Sequence, residues 1–164
     1  MSNYCLTCDC YDMDMGCTMS SIDKSYACPL ENTAIEFFMP MKKVPTCTHQ
    51  QKQVHVVNGK PVFYEPDDLK AARSKLMAHL GKHVPDKKYT GPIRLITKWC
   101  FPKGKHKDGQ WKTTKPDTDN LQKLLKDCMT SVGFWEDDAL VASEIAEKFW
   151  ADKTGIYIKI KELE

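Results

Sequence analysis

Long hydrophobic runs are absent from this sequence of 164 residues, and no stretch approaches the roughly 20 apolar residues that cross a membrane. The first ten residues lack the basic and then apolar layout of a secretory signal peptide. Neither a Walker loop nor a Gly-x-Gly-x-x-Gly motif is present, so the common phosphate-binding signatures of nucleotide-binding enzymes are missing. We therefore expect a cytoplasmic protein that does not enter a membrane.

Net charge is also small, at +2, but it is unevenly distributed. Residues 1–38 hold one basic and six acidic residues, residues 39–115 hold seventeen and five, and residues 116–164 hold six and eleven. A basic centre beside a carboxylate-rich stretch is expected where nucleic acid meets metal ions. A lysine-rich, solvated surface would produce the same bias.

Cysteine is concentrated in a predicted N-terminal extension, residues 1–31, which precedes a predicted main domain, residues 32–164. The extension is poor in aliphatic residues and needs a covalent or metal link to fold. Without a secretory signal, a structural zinc ion is favoured over disulfides, although unligated thiols remain an alternative. Elemental analysis would then find about one zinc per chain. The predicted ligands, which leave Cys10 spare, are Cys5, Cys8, Cys17 and Cys28.

Hydrophobic periodicity in residues 32–164 alternates between strand and helix and indicates an α+β fold. We expect Asp67 or Asp68 to cap a first helix and Gly133 to end a second one. Residues 139–150 fit a helix almost as well as a strand. The predicted strands are residues 33–39, 54–57, 61–64, 93–101 and 155–160, and the second helix is residues 119–132.

Between the long strand and the second helix, residues 102–115 contain many lysines, two glycines and almost no apolar residues. This composition predicts an exposed, mobile basic loop whose lysines can contact a nucleic-acid backbone. The predicted DNA-binding residues are Lys103, Lys105, Lys107, Lys112 and Lys115.

The second helix has a polar stripe of Asp119, Lys123 and Asp127, separate from its apolar face. Magnesium takes a few carboxylates, so Asp117, Asp119 and one acid of the later pair, 137–138, would suffice for a metal-dependent phosphodiester site. The same acids have a simpler explanation. Asp119 with Gln122 fits a capping box, and Lys123 with Asp127 fits an ordinary ion pair.

Two short motifs carry a resemblance to a known family. The run from Lys115 to Lys123 reads Lys-Pro-Asp-Thr-Asp-Asn-Leu-Gln-Lys, and the run from Gly133 to Asp138 reads Gly-Phe-Trp-Glu-Asp-Asp. Together they closely resemble the signature of RusA-type Holliday junction resolvases, which are often phage-borne. The resemblance covers about residues 33–162 and leaves the cysteine segment outside.

This resemblance implies a small mixed sheet flanked by two helices, in a homodimeric endonuclease that depends on Mg²⁺ or Mn²⁺. Such an enzyme resolves four-way DNA junctions by paired symmetric nicks, in recombination and repair. By motif, Asp117, Asp119 and Asp138 would ligate the metal, and Lys123 would be the catalytic lysine. The family motif also contains the adjacent acid, Asp137, whose replacement we expect to be the milder change. The rival interpretation is a non-catalytic, zinc-containing DNA-binding protein whose acids only cap a helix.

Overall fold

The chain divides into two units, Met1–Thr33 and Ala34–Glu164. The computed structural model describes residues 11–12, 16–17, 34–46, 53–57, 59–64 and 66–163. In the first unit, the described residues form two short antiparallel strands, β1 (Tyr11–Asp12) and β2 (Gly16–Cys17). Among the predicted zinc ligands, Cys17 lies in β2, whereas Cys5, Cys8 and Cys28 lie outside the described residues.

The second unit supplies the two α-helices and the remaining strands of the described chain. Its strands are β3 (Ile35–Pro40), β4 (Gln53–Val57), β5 (Lys60–Tyr64), β6 (Ile93–Pro102), β7 (Gln110–Trp111), β8 (Val141–Ala151) and β9 (Gly155–Glu162). Its helices are α1 (Asp67–Leu80), α2 (Thr118–Val132) and a short 3₁₀ helix (Asp138–Leu140).

Five of these strands form one mixed sheet in the order β3-β9-β6-β8-β7. The central strand β6 pairs parallel with β8 and antiparallel with β9. Strand β3 pairs antiparallel with β9, and β7 pairs antiparallel with the end of β8. Strands β4 and β5, which match the predicted strands 54–57 and 61–64, pair antiparallel in a separate two-stranded sheet. The predicted α+β fold, a mixed sheet with two helices, is therefore confirmed.

One hydrophobic core unites the sheet with both helices. Along β6, buried side chains alternate with more exposed ones, which is the pattern of a strand with one face covered. The buried side chains Leu95 and Trp99 belong to the same core as Leu125 of α2 and Leu76 of α1. Burial of this apolar face, more than helix propensity, fixes α2 against the sheet.

The segment that fitted either helix or strand is strand β8. Its backbone pairs with β6 from Val141 to Ala151, including the pairs Ile96 with Ile145 and Phe101 with Trp150. Tertiary pairing therefore decides a conformation that the local sequence left open. Strand β9 matches its prediction and pairs with β3 from Gly155 to Ile160.

Helix α2 ends as predicted at Gly133. This residue has a φ of 99°, in the left-handed region that a side chain disfavours. The amide of Gly133 donates to the carbonyls of Met129 and Thr130, and the reversal leads into the buried pair Phe134 and Trp135. Glycine at this position thus turns the chain back toward the helix it has just left.

The expected side-chain caps are not made. The residue before α1 is Pro66, and neither Asp67 nor Asp68 caps that helix with its side chain. Both acids lie in the first turn, where negative charge interacts favourably with the helix dipole. The prediction that one of them caps α1 was wrong.

Gln122 is a buried amide on α2 that generates a stability prediction. It is 4% exposed, and neither its amide nitrogen nor its amide oxygen has a hydrogen-bond partner within the described part of the chain. A buried amide without a partner costs about 1–3 kcal/mol. We expect Gln122→Met, which keeps the side-chain length, to raise the free energy of unfolding by about 1 kcal/mol in urea titrations. A lower value than the parent's would contradict this expectation, and Gln122→Glu should destabilise the fold.

Candidate active site

The two acids at the start of α2 are both exposed. Asp117 is the residue before the helix, with extended backbone angles, and Asp119 lies in the first turn. Neither carboxylate accepts a hydrogen bond or forms an ion pair with any described residue, and Asp117 makes no side-chain cap. The capping box predicted from Asp119 and Gln122 does not form, because the helix begins at Thr118 and the Gln122 amide is buried without a partner.

Lys123 connects α2 to the acids beyond Gly133. Its Nζ lies 3.1 Å from Oδ1 of Asp127, one turn farther along the helix, and 3.4 Å from Oδ2 of Asp138. The hydrogen bond and charge of Asp127, followed by the charge of Asp138, raise the pKa of Lys123. A protonated lysine therefore lies between two carboxylates at the point where the two motifs meet.

The neighbouring acids Asp137 and Asp138 have different environments. Oδ1 of Asp137 accepts a hydrogen bond of 2.8 Å from the amide of Ala139 and caps the 3₁₀ helix. Asp138 is half-buried and turns its carboxylate toward Lys123. Asp137 therefore has a structural partner, whereas Asp138 faces the polar stripe of α2.

A polar cleft of about 280 Å³ adjoins this ion-pair network. Arg73 of α1 lines it together with Asp127 and Asp138. The remaining lining residues are Thr130, Ser131 and Asp137. Arg73 was not among the site residues predicted from the sequence. The one indication in the sequence is that Arg73 shares the helical spacing of the apolar residues of α1. A charged side chain at such a position needs a polar partner.

Residues 102–115 do not form one continuous irregular loop, as the sequence predicted, because strands include part of this segment. Its first residue, Pro102, ends β6, and β7 pairs with β8 near its other end. Lys105, Lys107 and Lys115 are exposed, whereas Lys103 lies 2.7 Å from a carboxylate oxygen of Asp152. That ion pair raises the pKa of Lys103.

Lys112 contradicts the expectation of an exposed DNA contact, because its side chain is only 7% exposed. Its Nζ lies above the rings of Phe101 and Trp150, at 5.1 and 4.6 Å from their centroids. It also donates to the Thr114 hydroxyl and to two backbone carbonyls. The predicted exposure of Lys112 was wrong, because its aromatic partners come from β6 and β8, which the local lysine-rich sequence does not reveal.

Comparison with known proteins identifies the family. Residues 42–161 match the family described as Endodeoxyribonuclease RusA. The crossover junction endodeoxyribonuclease rusA of Lactococcus phage r1t is 37% identical over 131 residues, which span 78% of this chain and 98% of the phage protein. The uncharacterized protein YqaN of Bacillus subtilis (strain 168) is 26% identical over 118 residues, or 65% of this chain and 82% of that protein.

The chain belongs to the RusA family of endodeoxyribonucleases. The resemblance drawn from the two motifs around α2 is thereby confirmed. Within the described residues, no helix is long and apolar enough to span a membrane.

Proposed function

We propose that this protein is a crossover junction endodeoxyribonuclease that resolves four-way DNA junctions by paired symmetric nicks. The observation that carries the proposal is the contact of Lys123 with Asp138, which joins the two family motifs, next to the ion pair of Lys123 with Asp127. Membership in the RusA family and the activity named for the phage relative support it. Cleavage of junctions would serve recombination and repair in the cytoplasm of a bacterial or phage-infected cell.

The proposed metal ligands are Asp117, Asp119 and Asp138, with Mg²⁺ or Mn²⁺ as the ion. No group of three His, Cys, Asp or Glu side chains forms a ready metal cage in the described chain. Magnesium keeps several waters and takes one or two carboxylates, so a closed cage is not required. The two exposed carboxylates of α2 supply suitable hard oxygen donors. A bound divalent ion would lower the pKa of water and polarise the scissile phosphate.

The remaining side chains of the site would act on the substrate phosphate and on the ligands. Lys123 is held by acids on both sides and can donate to a phosphate oxygen, offsetting negative charge that develops during cleavage. Arg73 presents a second cation in the adjoining cleft. A guanidinium can donate two parallel hydrogen bonds to a phosphate, which would orient the backbone of the DNA.

The proposed DNA-binding surface consists of Lys105, Lys107 and Lys115, with Lys103 beside them. The first three are exposed and have no ion pair with any residue that the structure describes, so their charges can neutralise phosphates. Lys103 already has Asp152 as a partner and would have to exchange it. We also propose a homodimer, because a two-fold symmetric enzyme suits a junction that must be cut at two related phosphates.

The alternative of a non-catalytic DNA-binding protein has lost its main support. It required these acids to serve only as helix caps, and neither Asp117 nor Asp119 makes a side-chain cap, although both lie at the positive end of the helix dipole. A structural zinc ion at Cys5, Cys8, Cys17 and Cys28 remains a proposal for the N-terminal extension. It is independent of the proposed catalytic acids, none of which lies in residues 1–31.

Replacing a metal-binding carboxylate should separate binding from cleavage. We expect Asp117→Asn, Asp119→Asn and Asp138→Asn each to reduce Mg²⁺-dependent cleavage of a labelled four-way junction by about 100-fold or more. Junction affinity should be unchanged or higher, because each variant removes a negative charge that repels phosphate. Electrophoretic mobility assays without Mg²⁺ would measure the affinity.

Asp137→Asn is the matched control for that series. The asparagine oxygen can still accept the hydrogen bond from the amide of Ala139, so the 3₁₀ helix keeps its cap. Cleavage should remain close to that of the parent. Parent-like cleavage by all three variants at positions 117, 119 and 138 would refute the assigned site.

Removing the exposed lysines should weaken binding to any DNA. If each lysine neutralises a phosphate, replacing Lys105, Lys107 and Lys115 together by alanine should reduce the salt slope of binding by about 0.9 for each lysine removed. Fluorescence anisotropy over a series of NaCl concentrations measures this slope. Replacing Lys82, Lys87 and Lys88 by alanine removes the same charge from another exposed segment and should leave the slope nearly unchanged. Equal slopes for the two triple variants would contradict the proposed surface.

A further inference from the structure

The backbone that leads into the candidate site is held by two lysine side chains. Nζ of Lys112 donates to the carbonyls of Thr114 and Lys115, at 3.0 and 2.6 Å, and to the Thr114 hydroxyl. Nζ of Lys148 donates to the carbonyls of Thr114 and Pro116, at 3.1 and 2.7 Å. Three consecutive carbonyl groups, immediately before Asp117, therefore accept hydrogen bonds from lysine ammonium groups.

The two lysines are neighbours in the sheet. The amide of Lys112 donates to the carbonyl of Lys148 at 2.9 Å, where the chain leaves β7 alongside β8. Lys148 pairs with Trp99 of β6, and two residues later Trp150 pairs with Phe101. Because strand side chains alternate, Lys148 and Trp150 share the face of the sheet that carries the buried core residues of β6. Residues 114–116 cross this face on their way to α2.

This arrangement places two positive charges close together with no compensating acid. Among the described residues, neither Lys112 nor Lys148 forms an ion pair, and burial followed by the nearby charge of Lys148 lowers the pKa of Lys112. Carbonyl oxygens and the ring faces of Phe101 and Trp150 offset part of the cost. Lys112 is buried and Lys148 is half-buried, so holding this backbone with ammonium groups carries a desolvation cost that well-packed apolar side chains would not have.

Apart from these lysine hydrogen bonds, few contacts of the described residues fix the backbone of residues 113–115. Thr113, Thr114 and Lys115 are exposed and place no apolar side chain in the core. Every hydrogen bond that the described residues make to residues 114–116 comes from Lys112 or Lys148. Asp117 makes no side-chain cap. Its carbonyl accepts a hydrogen bond of 3.2 Å from the amide of Leu121, and on its other side its backbone continues directly from residues 114–116.

We propose that Lys112 and Lys148 are positioning residues, which clamp residues 114–116 so that the Asp117 carboxylate is held where the metal ion binds. This inference rests on the proposed function, because it takes Asp117 as a metal ligand. It also assigns Lys112 a role different from DNA binding. The lysines act on the metal site through the backbone and touch neither the metal nor the DNA.

The test replaces each lysine by methionine, which keeps the aliphatic chain and removes the donors and the charge. Single-turnover cleavage of a labelled four-way junction is measured over a range of Mg²⁺ concentrations. For Lys112→Met and Lys148→Met, we expect the Mg²⁺ concentration at half-maximal rate to rise about tenfold, as for outer-shell partners of metal ligands. Lys87→Met is the matched control and should keep the parent's value. Junction affinity in Ca²⁺ should stay within about twofold of the parent's for all three variants.

Other results would overturn the clamp. If Lys112→Met lowers junction affinity and keeps the Mg²⁺ dependence, Lys112 contacts DNA. If both variants lose thermal stability but keep the parent's Mg²⁺ dependence, the lysines are only structural. If Lys112→Met does not fold, the same comparison for Lys148→Met decides between these results.

Hydrogen exchange separates the clamp from the proposed function. The clamp predicts faster amide exchange in the peptide that covers residues 113–120 of both methionine variants than in the parent. Unchanged exchange there would overturn the clamp even if the parent cleaves junctions. If the parent fails to cleave any junction, the proposed function fails, and the exchange measurement still shows whether the lysines hold this segment.

Discussion

The ammonium group of Lys123 is the contact that joins the two halves of the candidate site. Its Nζ lies 3.1 Å from Asp127 and 3.4 Å from Asp138. These ion pairs link α2 to the 3₁₀ helix that follows the Gly133 reversal. Without this cation, the acids on the two sides of the turn would repel each other across a small polar cleft. The family motif can therefore be understood as one unit, in which a helix, a glycine turn and a returning acid share one lysine.

The fold supports this unit from two directions. The apolar face of α2 packs into the core through Leu121, Leu125 and neighbouring residues, which leaves its polar stripe outside the core, with Asp127 at the cleft. Strand β8 begins directly after the 3₁₀ helix Asp138–Leu140, and its parallel pairing with β6 attaches this part of the site to the sheet. On the other side, Lys112 and Lys148 hold the backbone that precedes Asp117. The same sheet thus fixes the chain on both sides of the site, before Asp117 and after the 3₁₀ helix.

Local patterns predicted the parts of this site that depend on one element. Helical spacing predicted the shared stripe of Lys123 and Asp127, and a glycine after the apolar run predicted the end of α2. Features that depend on distant contacts were missed. Lys112 is buried by aromatic rings from β6 and β8, Arg73 reaches the cleft because α1 packs beside α2, and β8 is a strand because β6 pairs with it. No local sequence signal encodes these partners.

The central claim is that carboxylates from both sides of the Gly133 turn bind one divalent ion. Anomalous diffraction from crystals grown with Mn²⁺ tests it most directly, because the signal locates the metal without reference to activity. The account predicts a peak that contacts Asp138 together with Asp117 or Asp119. A peak that contacts the α2 acids alone, or one that contacts Asp137 and not Asp138, would contradict it.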